Sequence, residues 1–496
     1  MAALIVALVA VAGLLLSTNS DSFLLRKGKI QGMKSIAAYF PFGFSETVDP
    51  RKISTVGEQV LAEHIFAFHS TQGRRNGFSA VISDINFDYS KNTIHITPRQ
   101  NPIKSNGIEM TPKEICEGII ESFSGTHHAE YNSLVRTIEC SGSTTIVKLE
   151  KIPVNMQALF SLPDFSVFDK SEVPISSINN SPTTGPYSIK TFSSSKVELS
   201  RNFFYPKNLI SNEIDEVSLN YYPPAEVADF IKNADPEKQH LIYFFGSSLV
   251  QSSLDSLSTR GYRIEEFPSE WLGHIGFQPA LGERDRKLIG SAIDTIRMQI
   301  ESSSPLGQPA YSVPPSDRPY GIKKAAYYQA TKTLLDINSG EKLSRPVVLG
   351  VMEFLHQLPF FKTTTSGLKE IFGKDIEIRV FKKAEYDQLF AAPVDMYLSL
   401  QGISAADPAH HLTFFLKNDP VFAEAITHDD ISNLATSENA ETFTEKALLL
   451  EMKLLEKRVI IPIVHFPGVV VSNPRLERDD GLAGSWGIRT WTYRIR

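Results

Sequence analysis

From His240 onward the sequence alternates between short apolar runs and amphipathic segments, and this alternation restricts the possible folds more than any other feature of the chain. LIYFFG runs into a segment with Leu249, Leu254 and Leu257 at helical spacing, Gly261 closes it, and YRIEEF follows. PVVLGVM, a helix near GLKEIFG, DIEIRVF, a helix over KAEYDQLFA and DMYLSL repeat the pattern. Parallel strands need a crossover connection, usually a helix, and those helices cover the sheet faces. The region therefore predicts βαβ units on a largely parallel sheet. ETFTEKALLLEMKLLEKR reads as one more amphipathic helix, and VIIPIVHF with GVVVS returns as paired strands.

Between Ser35 and Lys151 the texture is different. Short alternating runs dominate, SIAAYF, GFSAVISDINFDY, NTIHITPR and TTIVKLEK, with one clear helix from Pro112 to Phe123 that starts on Thr111 as N-cap and carries Ile115, Ile119 and Ile120 as its stripe. That part is α+β. The polar SEVPISSINNSPTTGPY then reads as a surface crossing. A chain of 496 residues exceeds one compact core and implies several units.

The N-terminus carries an uninterrupted apolar run of fifteen residues, Ala2 to Leu16, followed by small polar residues. This is short for a membrane span and suits the apolar core of a secretory signal over residues 1–20, with a cut before Asp21. An uncleaved membrane anchor is the other reading, because Arg26, Lys27 and Lys29 follow the run and no basic residue precedes it. Either way the rest of the chain is expected to be exported, into the periplasm. Lys plus Arg total 50 against 56 Asp plus Glu, with no basic cluster to neutralise adjacent phosphates, so nucleic acid is excluded as the expected partner. The only cysteines are Cys116, in TPKEICEGIIESF, and Cys140, at the end of LVRTIEC. Two readings stand for them: a disulfide formed in an oxidising compartment, or two separate buried thiols.

Catalytic signatures are missing. The chain has no G-x-S-x-G, G-x-G-x-x-G, H-E-x-x-H or C-x-x-C, and GLKEIFGKD has the wrong glycine spacing for a phosphate loop. His127-His128 and His410-His411 are adjacent pairs whose side chains diverge on any regular element, so neither is a ready metal clamp. The sequence assigns no catalytic residue, metal or cofactor, and no enzyme activity is expected. The stretch LQGISAADPAHHL is more informative. It leaves a strand, passes through small uncharged residues and reaches Asp407-Pro408, where Asp407 reads as a helix N-cap and Pro408 as the first helical position. A turn of this kind between strand and helix is where α/β proteins usually hold ligands.

The order of several motifs resembles the family 5 extracellular solute-binding proteins, the oligopeptide and dipeptide receptors of ABC importers, from about Ser35 to Arg475. Thr47-Val48-Asp49-Pro50 is similar to the family's T-L-D-P. TIHITPRQNPIKSNGIEMTPKEI, with Arg99, Gly107, Thr111 and Glu114 at matching places, resembles its F-x-L-R…D-G-x-P-x-T segment. SPTTGPYSI resembles G-T-G-P-Y, LSRNFFY resembles L-x-R-N-x-x-Y, RKLIGSAID (Arg286 to Asp294) resembles V-R-Q-A-x-x-x-A-I-D, and IIPIVHF resembles the late I-P-L strand. The resemblance implies an α/β fold, a two-lobed periplasmic-binding-protein (type II) clamp with a hinge and an additional small α+β domain. Lobe I would comprise 35–62, 156–244 and 461–496, the inserted domain 63–155, and lobe II 245–460. The implied function is an exported monomeric receptor that takes a small solute, a peptide or peptide-like compound in most of the family, and hands it to an ABC transporter permease. The alternative is a receptor-like protein that no longer serves transport and docks on a membrane partner or senses a neutral solute.

Departures bear on the cargo. Where peptide receptors of this family read W-x-x-D-x-x-[DE]-P and use the first acid to hold a peptide amine, this chain has Gln401 at the Trp place and Ser404 at the Asp place, and keeps Asp407-Pro408. Gln278, Pro206 and the segment from Lys232 to Glu237 also depart from the pattern. A buried ammonium without a carboxylate is costly to desolvate, so the loop is expected to offer Gln401, Gly402, Ser404 and Ala405 to a neutral or hydroxyl-rich ligand. Packing of the loop on its own lobe, without ligand contact, is the other reading.

Overall fold

The computed structural model describes residues 34–45, 47–53, 55–68, 70–71, 77–124, 129–160, 162–176, 181–210, 214–223, 227–233, 240–245, 251–303, 306–315, 318, 321–331, 341–382, 385, 389, 393–402, 408–419, 421–478 and 489–495. In chain order its main elements begin with β1 (Ser35–Phe40), α1 (Val56–Ile65), β2 (Ile82–Asp88), β3 (Thr93–Pro98), α2 (Pro112–Phe123), β4 (Val135–Ser141) and β5 (Thr144–Leu149). There follow β6 (Tyr187–Phe192), β7 (Lys196–Arg201), β8 (Glu216–Tyr221), β9 (His240–Phe245), α3 (Gln251–Thr259) and β10 (Arg263–Phe277). The remainder comprises α4 (Glu283–Ser302), β11 (Val347–Met352), α5 (Pro359–Phe372), β12 (Ile376–Phe381), β13 (Met396–Gly402), α6 (Pro408–Asn418), α7 (Ala440–Lys457) and β14 (Ile460–Ser472).

One large sheet runs through the molecule in the order β6-β7-β8-β1-β9-β14-β10-β13-β11-β12. It is mixed, which corrects the expectation of a largely parallel sheet. Parallel pairing holds for β1 with β8 and β9, and for β11 with β12 and β13. The strands flanking α3 run in the same direction but do not pair, because β14 lies antiparallel between β9 and β10. The βαβ reading therefore gave the direction of these strands and missed the late strand that separates them. VIIPIVHF and GVVVS are likewise one continuous strand, β14, in which every residue is buried. A strand covered on both faces reads as an unbroken apolar run.

Two strands tie the halves of this sheet together. The first part of β10, Arg263–Phe267, pairs with Gly468–Ser472 of β14, and the same part of β14 pairs with β9. After a break in register, Trp271–Gly276 pairs with the other part of β14 and Trp271–Phe277 pairs with β13. Pro268 and Pro467, which cannot donate to a ladder, fall at this break. The α+β region forms a separate antiparallel sheet in the order β2-β3-β5-β4 with α2 packed on it. Cys116 on α2 and Cys140 on β4 are joined as a disulfide, with Cα atoms 6.0 Å apart.

Several helix limits follow from local chemistry. Thr111 and Glu114 form a reciprocal capping box at the start of α2, with Pro112 in the first turn. Gly373, at φ 59, closes α5, and Gly261, at φ 81, follows α3; both conformations favour glycine. Leu254 and Leu257 of α3 are buried as the helical spacing predicts, while Leu249 and most of KAEYDQLFA lie outside the described residues. Among the described residues no helix is long and apolar enough to cross a membrane. Residues 1–33, with the apolar run, also lie outside them.

Candidate functional site

β13 delivers Gln401 and Gly402 to the place where the two halves of the sheet meet. Gly402 lies opposite Trp271 and Gln401 opposite Leu272 on β10, while Phe466 and His465 of β14 flank the same pair on its other side. The Trp271 ring covers Gly402 closely, about where a Cβ would lie 3.4 Å from it. Its indole N–H donates to the Tyr243 hydroxyl on β9 at 2.7 Å. Tyr243 in turn packs against Phe40 at the end of β1 and Phe42 just beyond it, with ring centroids 6.4 and 6.0 Å apart. An aromatic chain thus links the end of β13, in one half of the sheet, to the end of β1 in the other.

Of the residues expected to meet a ligand, Gln401 and Gly402 are half-buried at this junction, and the Gln401 amide donates to the Gly402 carbonyl at 3.2 Å. Ser404, Ala405 and Asp407 lie outside the described residues. Pro408 does open α6, which buries Ala409, Leu412 and Phe415. Trp271 escaped the sequence reading because YRIEEF was taken as a complete strand, while Tyr243 in LIYFFG and Phe42 beyond SIAAYF were passed over as ordinary strand residues. The apolar alternation continuing through WLGHIGF beyond Pro268 was the available signal.

Buried polar groups line the sheet near this point. His465 donates Nε2–H to the Ser312 carbonyl at 3.2 Å, and its Nδ1 is buried without a partner among the described residues. Burial lowers its proton affinity to a pKa of about 4. His411, on the first turn of α6, is pushed to about 3, first by burial and then by His410 and His465. It is therefore a buried neutral histidine, while His127-His128 lie outside the described residues. His274 packs its ring on Phe415 and Tyr397, and burial holds it near 4. Tyr397 donates to Asp419 at 2.9 Å, yet burial still raises that carboxyl to about 6. No group of three or more His, Cys, Asp or Glu among the described residues is placed to hold a metal ion.

The motifs behind the family resemblance form structural joints. Asp49 accepts the Arg51 backbone N–H at 3.0 Å and pairs with its guanidinium at 2.7 Å, and Arg51 reaches Glu121 of α2 at 2.9 Å. Thr184 donates to the Val167 carbonyl at 2.8 Å and accepts from Ala67 N at 3.0 Å, while Gly185 N donates to Ile65 O at 2.8 Å. A Cβ on Gly185 would lie 2.4 Å from the Ile65 carbonyl carbon, so only glycine fits. Thr183 and Thr184 are buried, which corrects the reading of this end of SEVPISSINNSPTTGPY as a surface crossing. Asn202 donates to Gly185 O at 2.9 Å and so fastens β7 to the same joint. Asp294 is buried between Arg297, at 2.9 Å, and Arg458, at 3.1 Å, and accepts from the Tyr327 hydroxyl at 2.7 Å.

No protein-family model matches the chain, and no curated protein sequence matches it. Solved structures do. OppA of Haemophilus influenzae, in complex with RPPGFSPFR, is 14% identical and aligns over 93% of this chain and 99% of its own with a TM-score of 0.75. A dipeptide-binding protein from Pseudoalteromonas sp. SM9913, in complex with Met-Leu, is 13% identical over 93% and 100% of the two chains, with a TM-score of 0.71. The chain has the fold of these solute-binding proteins. NikA from Brucella suis, in complex with Fe(III)-EDTA, is 14% identical over 93% and 100%, again at 0.71. The mixed α/β sheet and its helices match this two-lobed architecture over nearly the whole length of each chain.

Proposed function

We propose that the protein is an exported solute-binding receptor that captures a small solute between two lobes and delivers it to an ABC transporter permease. The observation that carries this reading is the full-length correspondence with a peptide-bound receptor, 93% of this chain on 99% of the other. The lobes would join through β10 and β14, near Phe267–Trp271 and Phe466–Gly468, inside these strands and not at the expected limits of 244/245 and 460/461. The inserted domain, 63–155, would sit on lobe I. Closure about two strands of this kind is a familiar way to bury a ligand in a crevice. The protein would act as a monomer in the periplasm, with no covalent chemistry in the crevice.

The ligand would rest where β13 ends, held by the Gln401 amide, the backbone of Gly402 and Ala405, the Ser404 hydroxyl and the faces of Trp271 and Phe42. Peptide-like compounds fit the fold. With Ser404 at the place of an amine-binding acid, a neutral or hydroxyl-rich solute fits the loop better than a free peptide amine.

Native mass spectrometry of protein taken from its own compartment, followed by denaturation, identifies what the crevice holds. A released solute that raises the melting temperature when added back supports the receptor reading; a ligand at a hundred times its Kd adds about 2.7 kcal/mol. Released peptides would refute the neutral-ligand preference. An empty protein that gains no stability from peptides, sugars or metal chelates would overturn the receptor itself.

A further inference from the structure

We infer that β12, the outermost strand at one end of the main sheet, pairs antiparallel with β12 of a second copy of this chain about a two-fold axis at Ile378. A sheet edge presents unpaired N–H and C=O groups to any other strand, and proteins blunt such edges with bulges, lysine or proline. Three of the four edges of the main sheet and the small sheet are blunted in this way. β6, at the opposite end of the main sheet, breaks register between Ile189 and Thr191, with exposed Lys190 at the break. β2 and β4, the edges of the small sheet, break register at Ile82/Asp84 and at Val135/Thr137. β12 differs. Its sequence IEIRVF follows β11 without a break, contains no Pro or Lys, and pairs with nothing on its outer side among the described residues. Val380 on this strand is 43% exposed.

The charges of the strand select a second copy as the occupant. Side chains alternate across a strand, so Ile376, Ile378 and Val380 lie on one face and Glu377 and Arg379 on the other, where they form an ion pair at 2.8 Å. Two identical antiparallel strands keep each face on its own side only if the two-fold axis passes through a residue. With the axis at Ile378, Glu377 stands opposite Arg379 of the partner subunit, Ile376 opposite Val380 of the partner subunit, and Ile378 opposite its own copy. Moving the axis one residue either way sets Glu377 opposite Glu377 or Arg379 opposite Arg379, and like charges directly opposite are destabilising. A larger shift leaves half the strand or more unpaired. Before the strand Gly373–Asp375 forms a 3-10 turn, and after it Lys382 N donates to Glu385 at 2.8 Å, so Lys374 and Lys382 stand outside the ladder. One copy remains the unit that binds solute. Ile378 is level with Leu349 and Met396, and Gln401 lies farther along β13 by about 16 Å. The pair holds two separate crevices, and the inference does not rest on the receptor reading.

Sedimentation equilibrium over a concentration series, on protein taken from its own compartment, tests the pairing. The parent should approach twice the mass of one chain. Arg379→Glu and Glu377→Arg each set like charges opposite each other at both ends of the match and should weaken the pairing about tenfold or more. An equimolar mixture of the two variants restores opposite charges at both places and should recover the dimer, which also shows that both are folded. Ile378→Cys gives a second readout, because the natural cysteines are already bridged. Residues on the axis have Cα atoms about 4.5–5.5 Å apart, within disulfide reach. Mild oxidation should therefore join Ile378→Cys protein into a covalent dimer. Val380→Cys protein should stay single, since its two copies of that position stand about 14 Å apart. A parent that remains one chain throughout, a dimer that both charge variants keep, a mixture that does not recover it, or equal cross-linking at 378 and 380 overturns the proposal.

Discussion

Glu451 on α7 is 2% exposed and accepts the Val313 N–H at 3.0 Å. Burial outweighs that bond and raises the carboxyl from 4.5 to about 8. Between those values the folded chain holds one proton more than the unfolded chain. Stability from this group is therefore fully present below 4.5 and is lost as pH rises through 8. The slope is at most about 1.4 kcal/mol per pH unit, which amounts to about 4 kcal/mol from pH 5 to pH 8. Glu451→Gln keeps an oxygen for Val313 and cannot ionise. The unfolding free energy of this variant should therefore gain on that of the parent by about 4 kcal/mol across the same range. Other groups titrate there with the opposite sign. His64, His274 and His465, held near 4, and His411, near 3, cost stability as pH falls below 6.5, because the unfolded chain takes up their protons first. They are common to both proteins and cancel in the difference. Urea unfolding at about pH 5, 6.5 and 8, followed by tryptophan fluorescence, measures that difference. Parallel pH profiles for parent and variant would show that Glu451 is already ionised in the folded protein, and the reasoning would fail.

Gly276→Ala would place a methyl 2.2 Å from the Tyr397 ring, so thermal unfolding should show a loss of about 1–3 kcal/mol, the usual cost of overpacking. Replacing Cys116 and Cys140 together by serine opens a bridge between residues 24 apart and should cost about 3 kcal/mol in urea unfolding without reductant. An undiminished midpoint would show that the pair is not joined. Tyr243→Phe removes the acceptor of the Trp271 N–H and should lower stability by about 1 kcal/mol. If the crevice lies at this junction, the same variant should also change the stabilisation conferred by a released solute, read as a shift in melting temperature.

The sequence revealed most where an element makes its own pattern. α2 begins and ends where its capping box and apolar stripe place it, although Ile120 of that stripe is exposed and Cys116 and Phe123 share the buried face with Ile115 and Ile119, and the short strands of the small sheet fall on their alternating runs. It revealed least where meaning depends on a distant partner. The Trp271–Tyr243 bond joins residues 28 apart, and the Val313–Glu451 bond joins residues 138 apart. On α7 the buried positions Phe443, Ala447, Leu450 and Leu454 announce the inner face, but Glu451 shares that burial. A helical pattern read alone assigns such a charge to solvent. The family motifs explain the same asymmetry from the other direction. Thr184, Gly185, Asn202, Asp49 and Asp294 are each committed to hydrogen bonds or ion pairs that hold elements together, so changing any one disturbs a joint. The segment after Gly402 lies between two such fixed elements, β13 and α6. The departures from the peptide-receptor pattern, Gln401 at the end of β13 and Ser404 just beyond it, fall at this edge and not in any of the joints. A resemblance carried by joints therefore reports the fold far better than it reports the cargo.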